Sequence, residues 1–490
     1  MVFVVRLFSE ITVKSAPVRK RWTKILAQNI RTLGRQLFER TSVVQDWDRI
    51  EVRVHANSAE LRAEFLDLLG RVPGISTYAE VRAFPLVDMH DIYEKTAALW
   101  AKGIENKKFG VRVKRSGKHD FKSGDVERYV GGGLNQMVSS AQVNLSTPDV
   151  MVNIEIKNDN YYVLAGKHKG LGGFPIGTQD PVLSLVSGGF DSTVASYLMI
   201  KRGMRTHYCF FSLGGRAHEL GVKEIAYFLW RKYGASHRVK FVTVPFEGVV
   251  SEILEKIGPS NMGVVLKRMM IRASEQIAKR VGIQAIVTGE AISQVSSQTI
   301  TNLNAIDKVS NMLVLRPLVA AAKPDIIDLS RDIGVEEFSA NIPEYCGVIS
   351  VKPSAAVKLD QVEAEEENFN FDVLTQAVEQ CRRQSIDEVM KDCQDVTDIN
   401  VVSELPETSI VIDIRHPDEI ELKPLPITER ESIAIPFYSL NSKVETLEKA
   451  QKYFLYCDRG VMSELHASHL IEAGHSNVGV FRPAKKISKN

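Results

Sequence analysis

A multidomain chain of α/β and α+β units is predicted by three observations. The length, 490 residues, gives room for three or four domains at about 150 residues each. Up to residue 180, strands with period-two alternation mix with amphipathic helices, an α+β pattern. From residue 181, buried strands alternate with helices, the pattern of a parallel sheet. With 44% hydrophobic and 25% charged residues the composition excludes a disordered or fibrous chain.

Taken in order, FVVRLFSEITVK reads as a strand and KSAPVRKRWTKILAQNIRTL as a helix with basic residues at its start. DRIEVRVHA (48–56) is a second strand, and AELRAEFLDLLGRV is an amphipathic helix closed near Pro73-Gly74. A second unit follows: the helix MHDIYEKTAALWAKGI, the basic strand KFGVRVKRSG (108–117), and a helix interrupted by Gly131–Gly133. Strands VMVNIEIKN and YYVLAGKHK then form a hairpin across Asp159-Asn160. Beyond 181 come PVLSLVS, VASYLMIKRG, RTHYCFFSL, GVKEIAYFLWRKYG, HRVKFVTVPF, a long helix near MGVVLKRMMIRASEQIAKRVG, AIVTGE and LVLRPL. Residues 351–403 are an acidic helical linker, and SIVIDIR, SIAIPF, YFLYCDRG and VGVFRP are strands of a last small α/β unit. The expected divisions are 1–62, 63–167, 178–350, 351–403 and 404–490.

The net charge of +2 sums opposites. Residues 1–180 carry 27 Lys+Arg against 20 Asp+Glu (+7), residues 181–350 carry 19 against 15 (+4), and residues 351–490 carry 16 against 25 (−9). Seven basic residues stand against one acid between Lys107 and Lys122, among them Arg112, Lys114, Arg115 and Lys118. One such run alone suits a solvated face; together with the cluster at Lys14–Lys24 it points to phosphate-backbone contact. The start meets Arg6 too early for a signal core, and no 18-residue apolar run occurs, so a cytoplasmic chain without a membrane partner is expected. Five cysteines without CxxC spacing argue against a disulfide scaffold or a zinc site, and no metal-ligand cluster is expected.

The sharpest signal is LSLV-SGGFDS-TVASYLMI, a buried strand, a Gly-Gly turn and a helix in succession. Gly188 and Gly189 admit close approach of an anion, and N–H groups from Ser187 to Ser192 offer donors at a helix start. Asp191 and Ser192 can cap that helix or help position a metal-bound phosphate. A Walker loop is excluded, since no GxxxxGK[ST] occurs.

The segment resembles the PP-loop ATP pyrophosphatases, whose loop reads SGGxDS. Together GLGGFPIGTQ, LSLVSGGFDS, HYCFFSLGG, VLKRMMIRAS, AIVTGEAISQVSSQT, PEYCGVIS and YCDRGVMS resemble the bacterial tRNA 4-thiouridine synthases along nearly the whole chain. The resemblance implies a ferredoxin-like N-terminal domain, a THUMP domain, a PP-loop doubly wound parallel sheet and a C-terminal rhodanese-like α/β domain. It implies ATP with Mg2+, and tRNA as substrate. Lys267, Gly289 and Gln298 fall where the family contacts ATP, and Leu185 and Val186 fall near its adenosine. Lys323 matches a lysine suited to phosphate charge.

Cys457 ends a strand and precedes a D-R-G turn into a helix. Backbone N–H groups, the helix start and Arg459 all attract a negative sulfur. Asp413 and Arg415 match a rhodanese opening strand. Met462 stands where many rhodaneses carry Arg or Thr, which suits protein-bound persulfide rather than thiosulfate. Ser463 disfavours a Cys-x5-Arg phosphatase. Cys346, by itself an ordinary loop cysteine, is implied by the resemblance to be the resolving partner in a Cys346–Cys457 disulfide. A cysteine desulfurase, a sulfur-carrier protein of thiamine synthesis and a disulfide reductant are the further partners implied. Other readings remain open at this point: a different PP-loop adenylating enzyme, or an RNA-binding adaptor with degenerate catalytic domains.

Overall fold

The computed structural model describes the chain apart from residues 46–48, 57, 214–215, 341, 343–352, 391–398, 407, 416–419, 422, 426–431, 437–439, 441–442, 449, 458–462, 464–465, 468–469, 472–473 and 484–490. Two compact units result, Met1–Pro175 and Ile176–Asn490. Among the described residues no helix is long and apolar enough to cross a membrane.

The first unit is built on one mixed sheet. Its strands are β1 (Val2–Leu7), β2 (Thr41–Gln45), β3 (Arg49–Val54), β4 (Ile75–Pro85), β5 (Lys108–Ser116), β6 (Gln142–Val143), β7 (Val150–Lys157), β8 (Asn160–Leu164) and β9 (His168–Gly172). They order as β2-β3-β1-β4-β8-β7-β5-β6, with β9 also on β4. β4 is shared: its first half pairs β1 and β9, and its second half pairs β8. Two cores lie along this sheet. One gathers Phe3, Trp22, Leu26, Ile50 and Phe65; the other gathers Phe109, Val126, Leu134, Ile154 and Tyr161.

Several expectations shift here. The division at 62/63 falls inside the helix Ala59–Arg71, whose Phe65, Leu68 and Leu69 belong to the first core. The helix expected to break at Gly131–Gly133 runs unbroken from Ser123 to Met137. Gly133 sits under Tyr93, where a Cβ would meet the ring at 2.4 Å, so glycine there permits packing against a neighbouring helix. The opening strand ends at Leu7, and β2 was not anticipated. The hairpin turn lies at Asn158-Asp159, one residue earlier than expected, with Asn158 at φ 51°.

The second unit carries two sheets. The larger is formed by β10 (Val182–Leu185), β11 (Thr206–Ser212), β12 (Lys240–Pro245), β13 (Ala285–Val287), β14 (Leu313–Leu315) and β15 (Arg382–Ser385). Its order is β14-β13-β10-β11-β12-β15, parallel except for β15. The chain runs outward from β10 to β12, then returns to β13 on the other side of β10. That reversal opens a crevice between β10 and β13 at their carboxyl ends.

Segment 351–403, expected as an acidic helical linker, is helical over Leu359–Glu366 and Phe371–Glu379 and packs on the larger sheet. Val362, Phe369, Leu374 and Val378 join the core of this sheet, and β15 adds an edge strand. Its acids are used internally: Glu366 accepts from buried Arg268 at 2.7 and 2.9 Å and from Arg272 at 2.7 Å. The smaller sheet comprises β16 (Val401–Val402), β17 (Ser409–Asp413), β18 (Ser432–Ala434), β19 (Lys452–Tyr456) and β20 (Val478–Phe481), all parallel, in the order β16-β20-β19-β17-β18. It has the same kind of reversal, between β17 and β19.

Candidate functional site

The loop after β10 lies at the first crevice. Leu185 ends the strand, half-buried, and buried Val186 donates its N–H to Cys209 O at 2.9 Å. Gly188 adopts φ +84°, a left-handed conformation that favours glycine, and the following helix runs from Phe190 to Lys201. The Ser187 N–H donates to Ser192 Oγ at 3.2 Å, and His218 Nε2 donates to Ser187 O at 3.0 Å. Gly289, after β13, abuts this turn so closely that a Cβ would meet the Ser192 nitrogen at 2.5 Å. Its glycine therefore joins the two sides of the crevice.

Charged side chains converge from distant segments. Lys323 Nζ donates to both Asp191 oxygens at 3.0 and 2.9 Å, and Gln294 Nε2 donates to Oδ2 at 2.8 Å. Behind Gly289, Glu290 accepts from Lys267 at 2.9 Å, from Arg316 at 2.8 Å and from Thr288 at 3.0 Å. Burial pushes the Glu290 carboxyl up, but Lys267 and Arg316 outweigh it and hold it below the usual carboxylate value. Gln298 is buried, and among the described residues no donor reaches its Oε1. A buried carbonyl oxygen of that kind suits a ligand donor.

Of the residues singled out in the sequence, Asp191, Ser192, Gly289 and Lys323 lie together in one region. The sequence reading missed Gln294, Glu290, Arg316 and His218. Glu290 and Arg316 lie inside the quoted VTGE and LRPL segments, but their pairing depends on β13 and β14 being neighbours.

Cys457 follows β19 at the second crevice and is buried. The Ser463 N–H donates to its Sγ at 3.3 Å, and Ser463 Oγ lies 3.4 Å away. At the end of neighbouring β17, Arg415 donates to Asp413 at 2.9 and 2.6 Å and lies over the Tyr456 ring at 5.0 Å. Cys346, Arg459 and Met462 lie outside the described residues, and with them the expected Cys346–Cys457 disulfide; so does Cys393. Cys209 is a core residue whose thiol burial pushes up, as suits an inert cysteine.

In the first unit, Arg112 and Lys114 project from β5 into solvent. A groove of about 290 Å³ is lined by Arg6, Thr77, Tyr78, Arg112, Lys114 and Lys167. Glu155 within it is bound by Arg6 at 2.6 Å. Arg115 instead turns to Gly117 O at 3.1 Å, and Lys118 is exposed.

Three family models match: ThiI ferredoxin-like domain over residues 2–79, THUMP domain over 87–165, and Thiamine biosynthesis protein (ThiI) over 177–371. The tRNA sulfurtransferase of Saccharophagus degradans is 58% identical over 99% of this chain and 100% of its own length. That of Colwellia psychrerythraea is 54% identical over 99% and 100%. Among solved structures, a 4-thiouridine synthetase–RNA complex with bound ATP matches with a TM-score of 0.69 at 24% identity, covering 78% of this chain and 99% of that one, a likeness of fold. With relatives this similar along the full length, and with the ferredoxin-like, THUMP and ThiI segments in sequence, the chain belongs to the tRNA sulfurtransferase family.

Proposed function

We propose that this chain is a cytoplasmic enzyme that uses ATP to convert uridine 8 of tRNA into 4-thiouridine. The observation that carries the reading is the crevice between β10 and β13. There a left-handed glycine turn, a helix start and the Asp191–Lys323 pair converge. The residues suit a nucleotide: Ser187, Gly188, Gly189 and Ser192 would hold its phosphates. Lys267 and Gln298 would bind it from the β13 side, with Leu185 and Val186 near the adenosine. Buried Gln298 Oε1 is an acceptor in need of a donor. Bound there with Mg2+, ATP supplies an adenylyl group that turns the uracil O4 into a leaving group. Lys323, released from Asp191, would balance charge on the departing pyrophosphate.

Cys457 is proposed to carry the sulfur in a rhodanese-like domain. A cysteine desulfurase loads it as a persulfide. The Cys346 thiolate attacks the inner sulfur, forming the Cys346–Cys457 disulfide and expelling hydrosulfide, which displaces AMP at C4. A dithiol reductant returns two electrons to reopen the disulfide. The Ser463 N–H directed at Sγ supports a site for anionic sulfur. Arg112, Lys114, Arg115 and Lys118 are proposed as tRNA contacts, and the same persulfide as a donor to a sulfur-carrier protein for thiamine thiazole.

The test is nucleoside mass spectrometry of tRNA from cells lacking the gene, complemented with wild type or Cys457→Ser. Loss of 4-thiouridine, restored by wild type alone, is expected; unchanged 4-thiouridine in the deletion overturns the reading. The Cys457→Ser protein should bind ATP with wild-type affinity.

A further inference from the structure

The apolar cluster that contains Cys457 is not built by the smaller sheet alone. Ile412, Ile414, Leu455, Ala467 and Leu470 pack there with Ile225 and Phe338, which belong to the helices Arg216–Leu229 and Glu336–Ala340 beside the larger sheet. Phe228 and Phe338 meet at a tilt of 43° with ring centroids 5.0 Å apart. A polar contact joins the same faces: His466 Nε2 lies 3.1 Å from Glu224 Oε1, with side chains 3% and 10% exposed.

The Arg216–Leu229 helix also reaches the glycine turn. Its His218 holds the Ser187 carbonyl at 3.0 Å. A Cβ placed on Gly188 would meet Val222 Cγ2 at 3.1 Å and Ile342 Cδ1 at 2.6 Å, and one on Gly221 would meet Ile342 Cδ1 at 3.2 Å. Ile342 is itself packed against the Cys457 cluster. One side chain thus touches both the turn of the first crevice and the core around the sulfur of the second.

We propose that Ile342, seated on the Arg216–Leu229 helix, couples occupancy of the SGGFDS turn to release of Cys457. The coupling rests on the reading that the turn binds nucleotide and Cys457 carries sulfur. A ligand shifts an equilibrium only by its differential interaction with the two states. Here the difference is steric: Ile342 fills the space beside Gly188 while the smaller sheet is docked. Phosphates entering the turn displace it, and the seam through Ile225, Phe338 and Glu224–His466 loosens. Cys457 then becomes accessible once the nucleotide is in place. Linkage is reciprocal, so the docked state weakens nucleotide binding by the same factor. Ile342 is a positioning residue in this scheme.

The experiment uses the full, reduced chain and the probe adenylyl imidodiphosphate with magnesium. Iodoacetamide alkylation of Cys457 is followed by peptide mass spectrometry, with buried Cys209 as the monitor of unfolding. The analogue should accelerate Cys457 alkylation at least about fivefold in wild type, leaving Cys209 unreactive. Ile342→Ala should react fast with or without the analogue, bringing the ratio within about twofold of one, and Ile342→Val should restore most of it. Analogue that binds by calorimetry without changing the wild-type rate overturns the coupling, as does a full ratio in Ile342→Ala. Analogue that does not bind overturns the nucleotide reading itself, and the coupling with it.

Discussion

The two crevices of the second unit occupy equivalent places in their sheets and are built differently. At the first, Asp191 meets Lys323 from 132 residues away and Gln294 from 103 residues away. At the second, the sulfur of Cys457 accepts from the N–H of Ser463, six residues on. The first site exists only when the larger sheet is complete, because its opposite charges arrive on separate segments. At the second, the described polar contact to the sulfur is local in sequence, while the apolar cluster around it draws on β17 and on Ile225 and Phe338. The charges of the first site are assembled at long range; the polar contact to the Cys457 sulfur comes from six residues away.

The contrast can be broken most directly at Lys323. Lys323→Ala should lower tRNA-dependent pyrophosphate release by about 10²–10³-fold, as expected for removal of one charge-stabilising group. Persulfide loading of Cys457 by a desulfurase should stay within about twofold of wild type, and a parallel fall would erase the division of labour. Ser463→Ala tests the other side. It removes the hydroxyl and keeps the backbone N–H, so sulfur transfer should fall less than about tenfold, with pyrophosphate release unchanged.

Gly289→Ala places a methyl group 2.5 Å from the Ser192 nitrogen. Overpacking of this kind costs about 1–3 kcal/mol, to be read as a lowered thermal midpoint together with a raised KM for ATP. A rise in KM for the desulfurase instead would contradict the placement. A last expectation is a pH dependence of stability that originates in the larger sheet. Burial lowers His207 from 6.5 to about 4, with Arg205 and Lys240 adding to it. The fold therefore holds the neutral ring, and the unfolded chain binds the extra proton. Stability is complete above pH 6.5 and falls as pH drops toward 4, by about 3 kcal/mol. His207→Asn should reduce the pH dependence of the urea midpoint across that interval, with buried His218 and half-buried His237 retaining the rest.

These differences explain what could be read from the chain. The glycine turn, the Cys457 turn and the basic strand β5 are contiguous, so their chemistry is legible in a few letters. Glu290 and Arg316 stood in quoted segments, but nothing local announces an ion pair that needs β13 beside β14. Residues 351–403 read as an acidic helical linker because their acids are conspicuous, whereas Glu366 faces Arg268 and Arg272, 98 and 94 residues away. Gly131–Gly133 read as a break because propensity is local, and the Tyr93 ring that accounts for Gly133 is not. The misplaced division at 62/63 has the same cause, since the helix Ala59–Arg71 earns its place only by packing on the first core.

β4 sets a limit on how this chain can be taken apart or recombined. The matched ferredoxin-like segment ends at residue 79 and the THUMP segment begins at 87, yet β4 runs through that gap from Ile75 to Pro85. A truncation there would sever hydrogen bonds of both cores and bare a strand edge open to association with other chains. Exchange of either half between relatives must preserve the register Phe3↔Glu80 and Val81↔Leu164 together. What family boundaries divide into two modules is, along that strand, a single heritable piece.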